Sequence, residues 1–553
     1  MRLSGAELII KLLENQNVKF ISGVPGGFNL PIYDALYYSE KITHILARHE
    51  QGAGFIAQGI SRSSDEVGVC FATSGPGATN LITAIADAKM DSTPLVAITG
   101  QVPLSAIGTD AFQEVDCYGL TMPITKHNYL IRDINELFTV IPEAFRIAKE
   151  GRPGPVLIDI PKNIQTQMIE VDDINMYEAP KKPKKVIDDD VLNEIKNMIA
   201  SSKRPIIFAG GGVTNSDSAK ELYDFAKKTS IPVTLSLMGL GTFPPKNELY
   251  LGMIGMHGAP YTNYLMDKSD LIIALGVRFD DRATGYIENF CPNASIIHID
   301  TEPSEINKLK KTHISVTANL KDFLARIIDK LEETKRDEWL NTVNEYRNKY
   351  PLPKYNSPIH PVNLINFLSD TLKEDSIICT DVGQHQMWTA QRYEFKKPKT
   401  LLTSGGLGTM GFGLPAAIGA SLINPDKDVV CISGDGSILM NIQELATLAD
   451  HNLNVKLIIL DNHYLGLVHQ QQQLFYNKHY MASEFISNPD FETIAKGFGI
   501  NSITFNDNNF SQEKFKEILS QKGPYVITIE ISQKENVFPM VAPGASNTDM
   551  IFK

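Results

Sequence analysis

A chain of 553 residues, 43% hydrophobic and 21% charged, has the composition of a multi-domain globular protein and argues against long disorder. With 64 acidic against 52 basic residues its net charge is −12, and without a basic tract it is not expected to bind nucleic acid or an anionic membrane. No stretch reaches about 18 consecutive apolar residues, so no membrane span is expected, and five scattered cysteines without CxxC spacing suit a reducing cytoplasm rather than disulfides or a cysteine zinc site.

The chain opens on MRLSGAELIIKLLENQ, whose acids inside an apolar pattern read as an amphipathic helix rather than a signal peptide. Short apolar runs follow at Val18–Val24, Val67–Ala72, Leu95–Thr99 and Val156–Ile160. A polar, Pro- and Lys-rich stretch, Asp172–Asp190, reads as a linker. Further runs are Pro205–Ala209, Leu271–Leu275 and Ile296–Ile299, and a second linker, Tyr350–Pro361, carries four prolines. The last runs are Ser376–Thr380, Val429–Ser433, Val455–Leu460 and Tyr525–Ile529. Continuous apolar runs alternating with Gly-rich turns and helical patterns indicate buried parallel strands with crossover helices. The expected class is α/β, with three doubly wound parallel-sheet domains over 1–171, 191–345 and 362–553. Ligands in such sheets bind beyond the carboxyl ends of the strands, so the segments behind the runs carry the functional reading.

The sharpest segment is Asp428–Asn462, a strand, a Gly434-Asp435-Gly436 turn, a helix and a second strand ending at Asp461-Asn462. A right-handed crossover makes the strands parallel and puts both turns on one sheet edge. Ile442, Leu445, Leu448 and Ala449 give the helix one apolar face. Gly434 and Gly436 let the backbone approach a diphosphate, the helix start after Ser437 favours anions, and Asp435 with the Asn462 amide oxygen offers hard ligands to Mg²⁺. GDG alone is an ordinary turn; GDG with Asn462 standing 27 residues after Asp435, across a complete βαβ unit, is far more specific.

Other strand ends carry candidate groups. DVGQHQMW offers Gln384 and His385 as donors to a diphosphate; SGGLGTMGFGLPAAIGA offers Gly408 and an adaptable Met410. HILARHEQGAGFIAQG puts Glu50 where a strand gives way to a Gly- and Ala-rich helix, a place that also suits a plain dipole partner. FAGGGV holds Gly210, Gly211 and Gly212, followed by LMGLG, GMHG, GVRFDDRATG and HID. Three glycines before a helix admit a dinucleotide backbone, Arg278 and Arg282 can meet a pyrophosphate, and Asp300 can accept from a ribose. RFDDR also reads as surface salt bridges.

The GDG-to-Asn462 spacing resembles the thiamine diphosphate motif. From Leu3 to VFPMVAPGA (Val537–Ala545) the chain resembles the catalytic subunits of the acetohydroxyacid synthases (acetolactate synthases). The resemblance implies pyrimidine-binding, central FAD-binding and diphosphate-binding domains, with thiamine diphosphate, Mg²⁺ and FAD as cofactors. It implies Asp435, Asn462 and the Tyr464 carbonyl on Mg²⁺. Gly434, Gly436, Ser437, Gln384, His385, Gly408 and Met410 would hold the cofactor, and Glu50 its aminopyrimidine. Phe112 and Gln113 would stand beside the reacting carbons, with Gly26 and Gly27 in the same pocket. Lys126 would line the entrance, a position that a solvated lysine fits equally well. Arg152, Gly210, Gly211, Gly212, Met238, Leu240, His257, Gly276, Arg278, Asp280, Arg282 and Asp300 would hold FAD.

Three positions depart from the family pattern: Phe28 replaces a small residue, Asp461 replaces the first Asn of an Asn-Asn pair, and Gln471 replaces a Trp. Gln471 removes an apolar wall and implies weak preference for 2-oxobutanoate; the alternative is an exposed residue in a Gln run, as expected for Gln472 and Gln473. The implied reaction is decarboxylation of pyruvate and ligation of the two-carbon unit to pyruvate or 2-oxobutanoate, for branched-chain amino-acid biosynthesis in the cytoplasm. Implied partners are a second copy, in a homodimer with the site at the interface or a tetramer, and a small regulatory subunit. The rival readings are another enzyme of this superfamily, such as pyruvate oxidase or glyoxylate carboligase, and a non-catalytic scaffold subunit. Glyoxylate carboligases lack the activating glutamate, so Glu50 argues against that rival.

Overall fold

The computed structural model describes residues 1–172 and 186–552, so most of the first expected linker, Asp172–Asp190, lies outside the described residues. Three six-stranded sheets form the frame, and every pairing within them is parallel. In the first, the strands lie in the order Thr43–Leu46, Phe20–Gly23, Gly68–Ala72, Leu95–Gln101, Pro155–Pro161, His127–Leu130. The third runs Leu401–Leu402, Ile377–Thr380, Val429–Gly434, Val455–Asp461, Tyr525–Glu530, Asn501–Phe505, which is the same order relative to the chain. The central sheet runs Tyr250–Met253, Val233–Leu235, Pro205–Ala209, Leu271–Leu275, Ser295–Asp300, Ile314–Thr317, the order of dinucleotide-binding sheets.

Inner strands such as Leu95–Gln101 and Val455–Asp461 are buried at every residue, because helices cover both faces of each sheet. In each sheet the order reverses beside the strand that comes first in the chain, and that reversal opens a crevice. The crevice lies behind Gly23 and Ala72 in the first sheet, Ala209 and Leu275 in the second, and Thr380 and Gly434 in the third.

The outer domains meet through the helices Glu50–Ser63 and Gly413–Ile423. A Cβ on Gly59 would stand 2.1 Å from the Ala416 carbonyl oxygen, and one on Gly419 2.0 Å from that of Ile56, so only glycine permits this crossing. The opening helix, Gly5–Asn15, starts at a capping box in which Ser4 and Glu7 satisfy each other's backbone N–H. The second linker enters the helix Pro361–Thr371, with Pro361 at its first turn. All five cysteines are buried and unpaired, and among the described residues no helix is long and apolar enough to cross a membrane.

The structure departs from expectation behind GDG: the helix is two pieces, Asp435–Ile438 and Leu445–Asp450, joined by a short 3₁₀ turn. The apolar face survives the break, with Leu445 and Leu448 buried and Ile442 and Ala449 packed against the same core.

Candidate functional site

The crevice of the third sheet holds the densest polar cluster. Gly434 pairs with Leu460 across neighbouring strands, so Asp435 and Asp461 leave the sheet side by side. One amide serves both: Asn488 Nδ2 donates to Asp435 Oδ2 at 2.7 Å and to Asp461 Oδ1 at 2.8 Å, while its Oδ1 is buried and unpartnered. Burial, reinforced by the Asp461 charge and opposed by the Asn488 N–H, pushes the Asp435 carboxyl up from the usual range. Asn462 Oδ1 accepts from the Tyr464 N–H at 3.1 Å, and its Nδ2 donates to Gln384 Oε1 at 3.3 Å. The cluster offers two carboxylates and amide oxygens, the hard donors that a Mg²⁺ ion with phosphate oxygens takes.

Gln384 and His385 open the helix Gln384–Arg392. The imidazole is wedged beside Gly434, where a Cβ would lie 3.1 Å from Nδ1, and its Nε2 is buried without a partner. Burial pulls its pKa down to about 3. A buried ring nitrogen without a protein partner, in a Gly-lined crevice, fits a diphosphate oxygen. Gln384 Nε2 is held by Gln470 and by the Glu535 carbonyl, each at 3.1 Å.

The Gly408–Met410 loop is held from the other domain. Arg62 bridges Asp87 at 2.7 Å and Asp91 at 3.0 Å, and Asp91 accepts from the Gly405 and Gly406 N–H groups. Asp87 accepts from Ser404 and Thr409, and Asp381 accepts from the Gly411 N–H at 2.7 Å. Gly408 has φ +70 and open space around it, so the loop presents bare backbone there.

In the first domain Glu50 begins its helix, half-buried, and accepts from Asn80 Nδ2 at 2.9 Å. The neighbouring backbone N–H groups of Arg48 and His49 bond to Glu444 Oε1, which ties this helix start to the GDG segment's own helix. Gln113 has φ +61 and its backbone lies against Gly75 at the start of Pro76–Asn80, and Phe112 is 80% exposed. Gly26 faces Thr73 and Gly27 is exposed. Phe28 is fixed by its backbone: its N–H donates to Thr73 and its carbonyl accepts from Gln165. Lys126 Nζ bonds to the Ile147 and Glu150 carbonyls at the end of the helix Leu137–Lys149.

In the central domain Gly210 and Gly212 press against Gly276 across the strand-order reversal, and Gly211 lies 3.1 Å (as a built Cβ) from Met238 Cβ. Leu240 and His257 are buried; His257 Nδ1 has no partner, and burial pulls its pKa down to about 4. Asp300 ends its strand, and burial pushes it up to about 6. Asp280 caps the short helix Asp281–Thr284, Arg282 is largely exposed, and Arg278 donates to the Met90 carbonyl at 2.6 Å. Arg152 bonds to Glu305 at 2.7 Å and Ser92 at 2.8 Å, bridging two domains. A glycine-lined reversal with an acid at a neighbouring strand end fits a dinucleotide.

The helix Gly466–Phe475 corrects one expectation. Gln472 donates to the Met481 carbonyl at 2.9 Å, and Gln473 accepts from Asn536 Nδ2 at 2.9 Å, so neither is an idle surface residue. Gln470 is fully buried and clasps the Val537 backbone through both amide atoms. Gln471 alone of the four has no side-chain hydrogen bond to a described residue.

Asp435, Asp461, Asn462, Gln384 and His385 thus converge, and Asn488, Gln470, Asp381 and the Arg62 network are additions that the motifs did not flag. Gln470 lies in a run of four Gln and Asn488 in SNPD, so their immediate sequence does not single them out.

Three family models match: the N-terminal TPP binding domain of thiamine pyrophosphate enzymes over residues 3–120, their central domain over 192–327, and their C-terminal TPP binding domain over 381–529. The chain is 51% identical over 552 residues to the acetolactate synthase isozyme 1 large subunit of Escherichia coli (strain K12), spanning 100% of this chain and 98% of that one. It is 43% identical to the isozyme 2 large subunit of the same organism, spanning 100% of both. It is 47% identical to acetolactate synthase 1, chloroplastic, of Oryza sativa subsp. japonica, spanning 99% of this chain and 87% of that one.

Proposed function

The chain belongs to the acetolactate synthase large subunits among the thiamine pyrophosphate enzymes, and from that premise we propose how its residues perform the reaction. It condenses pyruvate with a second 2-oxo acid on thiamine diphosphate, giving 2-acetolactate or 2-aceto-2-hydroxybutanoate for branched-chain amino-acid biosynthesis. The observation that carries the assignment of residues is the Asp435–Asn488–Asp461 cluster beside the unpartnered His385 Nε2.

Held there, thiamine diphosphate would supply a carbon nucleophile, once deprotonated, and an electron sink for decarboxylation. Asp435, Asn462 and the Tyr464 carbonyl hold Mg²⁺, with the carboxylate charge of Asp461 beside it. Gln384, His385 and the Gly434–Ser437 backbone hold the diphosphate, and Gly408 and Met410 seat the ring. Glu50 exchanges a proton with the aminopyrimidine ring nitrogen; Asn80 fixes its orientation. Gln113 and Phe112, with Gly26, Gly27 and Phe28, border the reacting carbons. Lys126, tied down by two carbonyls, acts through the Ile147–Glu150 turn rather than as a mobile entrance charge. The glycine-lined reversal of the central sheet takes FAD with Asp300 on its ribose, and Arg152, Arg278, Arg282, Asp280, His257, Met238 and Leu240 around it.

Within one chain the polar partners of Glu50 and of the Asp435 cluster come from separate domains. A homodimer, or a tetramer of two such dimers, brings Glu50 of one copy to Asp435 of another. Exposed Phe112, Met440 and Ile486 are surface for that contact. A small regulatory subunit is the further partner we assign, and the cytoplasm the compartment, on the buried unpaired cysteines. The test mixes protein, Mg²⁺, thiamine diphosphate and FAD with equal pyruvate and 2-oxobutanoate, and identifies products by mass spectrometry. Acetohydroxyacids support the reading; acetate, acetyl phosphate or acetaldehyde without them overturns it.

A further inference from the structure

The helix Gln384–Arg392 has two polar ends. Its first turn holds Gln384 and His385 in the diphosphate crevice; its last turn reaches a separate cavity of about 460 Å³. That cavity lies beside the edge strand Tyr250–Met253 of the central sheet. One strand, Val233–Leu235, separates this edge from Pro205–Ala209, which borders the glycine-lined reversal assigned to flavin.

Two arginines enter the lining. Arg392 gives one guanidinium nitrogen to the Pro353 carbonyl at 2.7 Å, and its Nε is buried without a partner. Arg347 donates to the Glu248 and Tyr250 carbonyls at 2.8 and 2.6 Å. Among the described residues neither guanidinium has a carboxylate within salt-bridge distance. Tyr261 lies close enough to feel both, and burial lowers the pKa of each arginine. One further buried atom on the lining residues, Gln391 Oε1, lacks a partner, and His257, assigned above to the flavin, marks where the two sites adjoin. The acids of the lining lie at the rim: exposed Glu248 acts on Arg347 alone, leaving Arg392 without a facing carboxylate, and Glu394 faces Lys246 at 3.7 Å.

A guanidinium drawn out of water without a counter-charge is costly, and its planar fork matches an oxyanion. The helix C-terminus alone weakly disfavours an anion, which two guanidiniums outweigh. The volume exceeds that of a bare ion and lies in the range of small-molecule sites.

We propose that this cavity is an effector site for a small organic oxyanion, carboxylate or phosphate, held by Arg392, Arg347 and Tyr261. Its occupancy is passed along the nine-residue helix to the Gln384–His385 end. The binding half stands on the cavity and not on the proposed reaction.

The test titrates inorganic phosphate, and in a second arm succinate, into protein saturated with thiamine diphosphate and Mg²⁺, so that the diphosphate crevice is filled. Ionic strength is held with chloride, and calorimetric heat is followed with the fluorescence of Trp388, which sits buried in the same helix. Saturable binding of at least one anion is expected. Arg392→Met should weaken it about tenfold or more, and Tyr261→Phe, which leaves the packing intact, several-fold. Saturating anion should shift the thiamine diphosphate Kd by about fivefold or more. No saturable response beyond chloride, or binding unchanged in both variants, overturns the site. Binding that leaves the thiamine diphosphate Kd unmoved overturns the effector role. Failure of the protein to bind thiamine diphosphate would count against the proposed function alone, because the anion titration and its variants still read the cavity.

Discussion

Replacing Gln471 by Trp tests how the helix Gly466–Phe475 senses the second 2-oxo acid. Its neighbours are committed: Gln470 to the Val537 backbone, Gln472 to Met481 and Ser483, Gln473 to Asn536. Gln471 is half-buried and untied, so its side chain is free to face a ligand. 2-Oxobutanoate exceeds pyruvate by one methylene, worth about 0.8 kcal/mol when fully buried, or about fourfold. A polar, half-buried wall recovers at most that much, so the parent should prefer 2-oxobutanoate by about fourfold or less. An indole face in the same place makes a fitted apolar pocket, in which one methylene is worth about 1–3 kcal/mol, roughly 10- to 200-fold. Gln471→Trp should therefore raise the product ratio to about tenfold or more. The assay is competition between equal concentrations of the two acids, read as the ratio of 2-aceto-2-hydroxybutanoate to 2-acetolactate. A parent ratio in the tens refutes the reasoning. So does a Trp variant with an unchanged ratio and intact kcat/KM for pyruvate.

Three further outcomes follow from the geometry. Glu50→Gln keeps an oxygen for Asn80, so the cofactor should still bind while deuterium exchange at its reactive carbon, followed by NMR, slows by about 10²–10⁴; unchanged exchange would remove Glu50 from the proton path. Gly59→Ala drives a Cβ to 2.1 Å from a backbone oxygen that no rotamer change can relieve, and urea unfolding should register a loss of about 1–3 kcal/mol or more; Gly497→Ala, with open space around it, should register none. Asp159, held by Thr99 at 2.7 Å and Gln101 at 2.8 Å, is pushed by burial from 3.8 up to about 7. Its folded form prefers the proton, so its contribution to stability is full below about pH 4 and is lost as pH rises through about 7. The melting temperature of Asp159→Asn relative to the parent should therefore rise between pH 5 and pH 8, and a pH-independent difference would contradict the assignment.

The frame of the fold is legible from apolar runs because its inner strands are buried on both faces. Pro205–Ala209 and Leu271–Leu275 appear with the boundaries the sequence suggests, and both are wholly buried. The strands outside the predicted runs share a physical cause. Thr43–Leu46, His127–Leu130, Ile314–Thr317, Leu401–Leu402 and Asn501–Phe505 are edge strands with exposed or half-exposed positions, so no continuous apolar run marks them. Tyr250–Met253 is the sixth edge, cut short by Gly252, and Val233–Leu235 has only three residues. Strand order, and with it the three crevices, comes from pairing across distant segments and has no local signature.

The same division runs through the candidate site. Residues whose chemistry needs a fixed local spacing, Asp435 with Asn462 or Gln384 with His385, stand out in a short window because one βαβ unit or one helix start places them. Residues that hold those groups in position are recruited from far along the chain. Asn488 reaches the two carboxylates from 53 and 27 residues away, and Arg62 reaches the Thr403 carbonyl across 341. Asp461 belongs to both classes. Read in sequence it is a departure from an Asn-Asn pair; in space it shares one amide donor with Asp435. Two carboxylates that share one amide donor, with the His463 N–H at 3.2 Å as a further donor to Asp461, still leave negative charge for which a divalent ion is the natural counterpart. A neutral Asn at 461 would halve that charge, so on the Mg²⁺ assignment proposed above the departure would bear on the strength with which this crevice draws the ion. The unpartnered Asn488 Oδ1 and His385 Nε2 extend the same argument to the ligand. Buried polar groups are normally satisfied, and these two stand where a hydrated ion and its diphosphate would satisfy them.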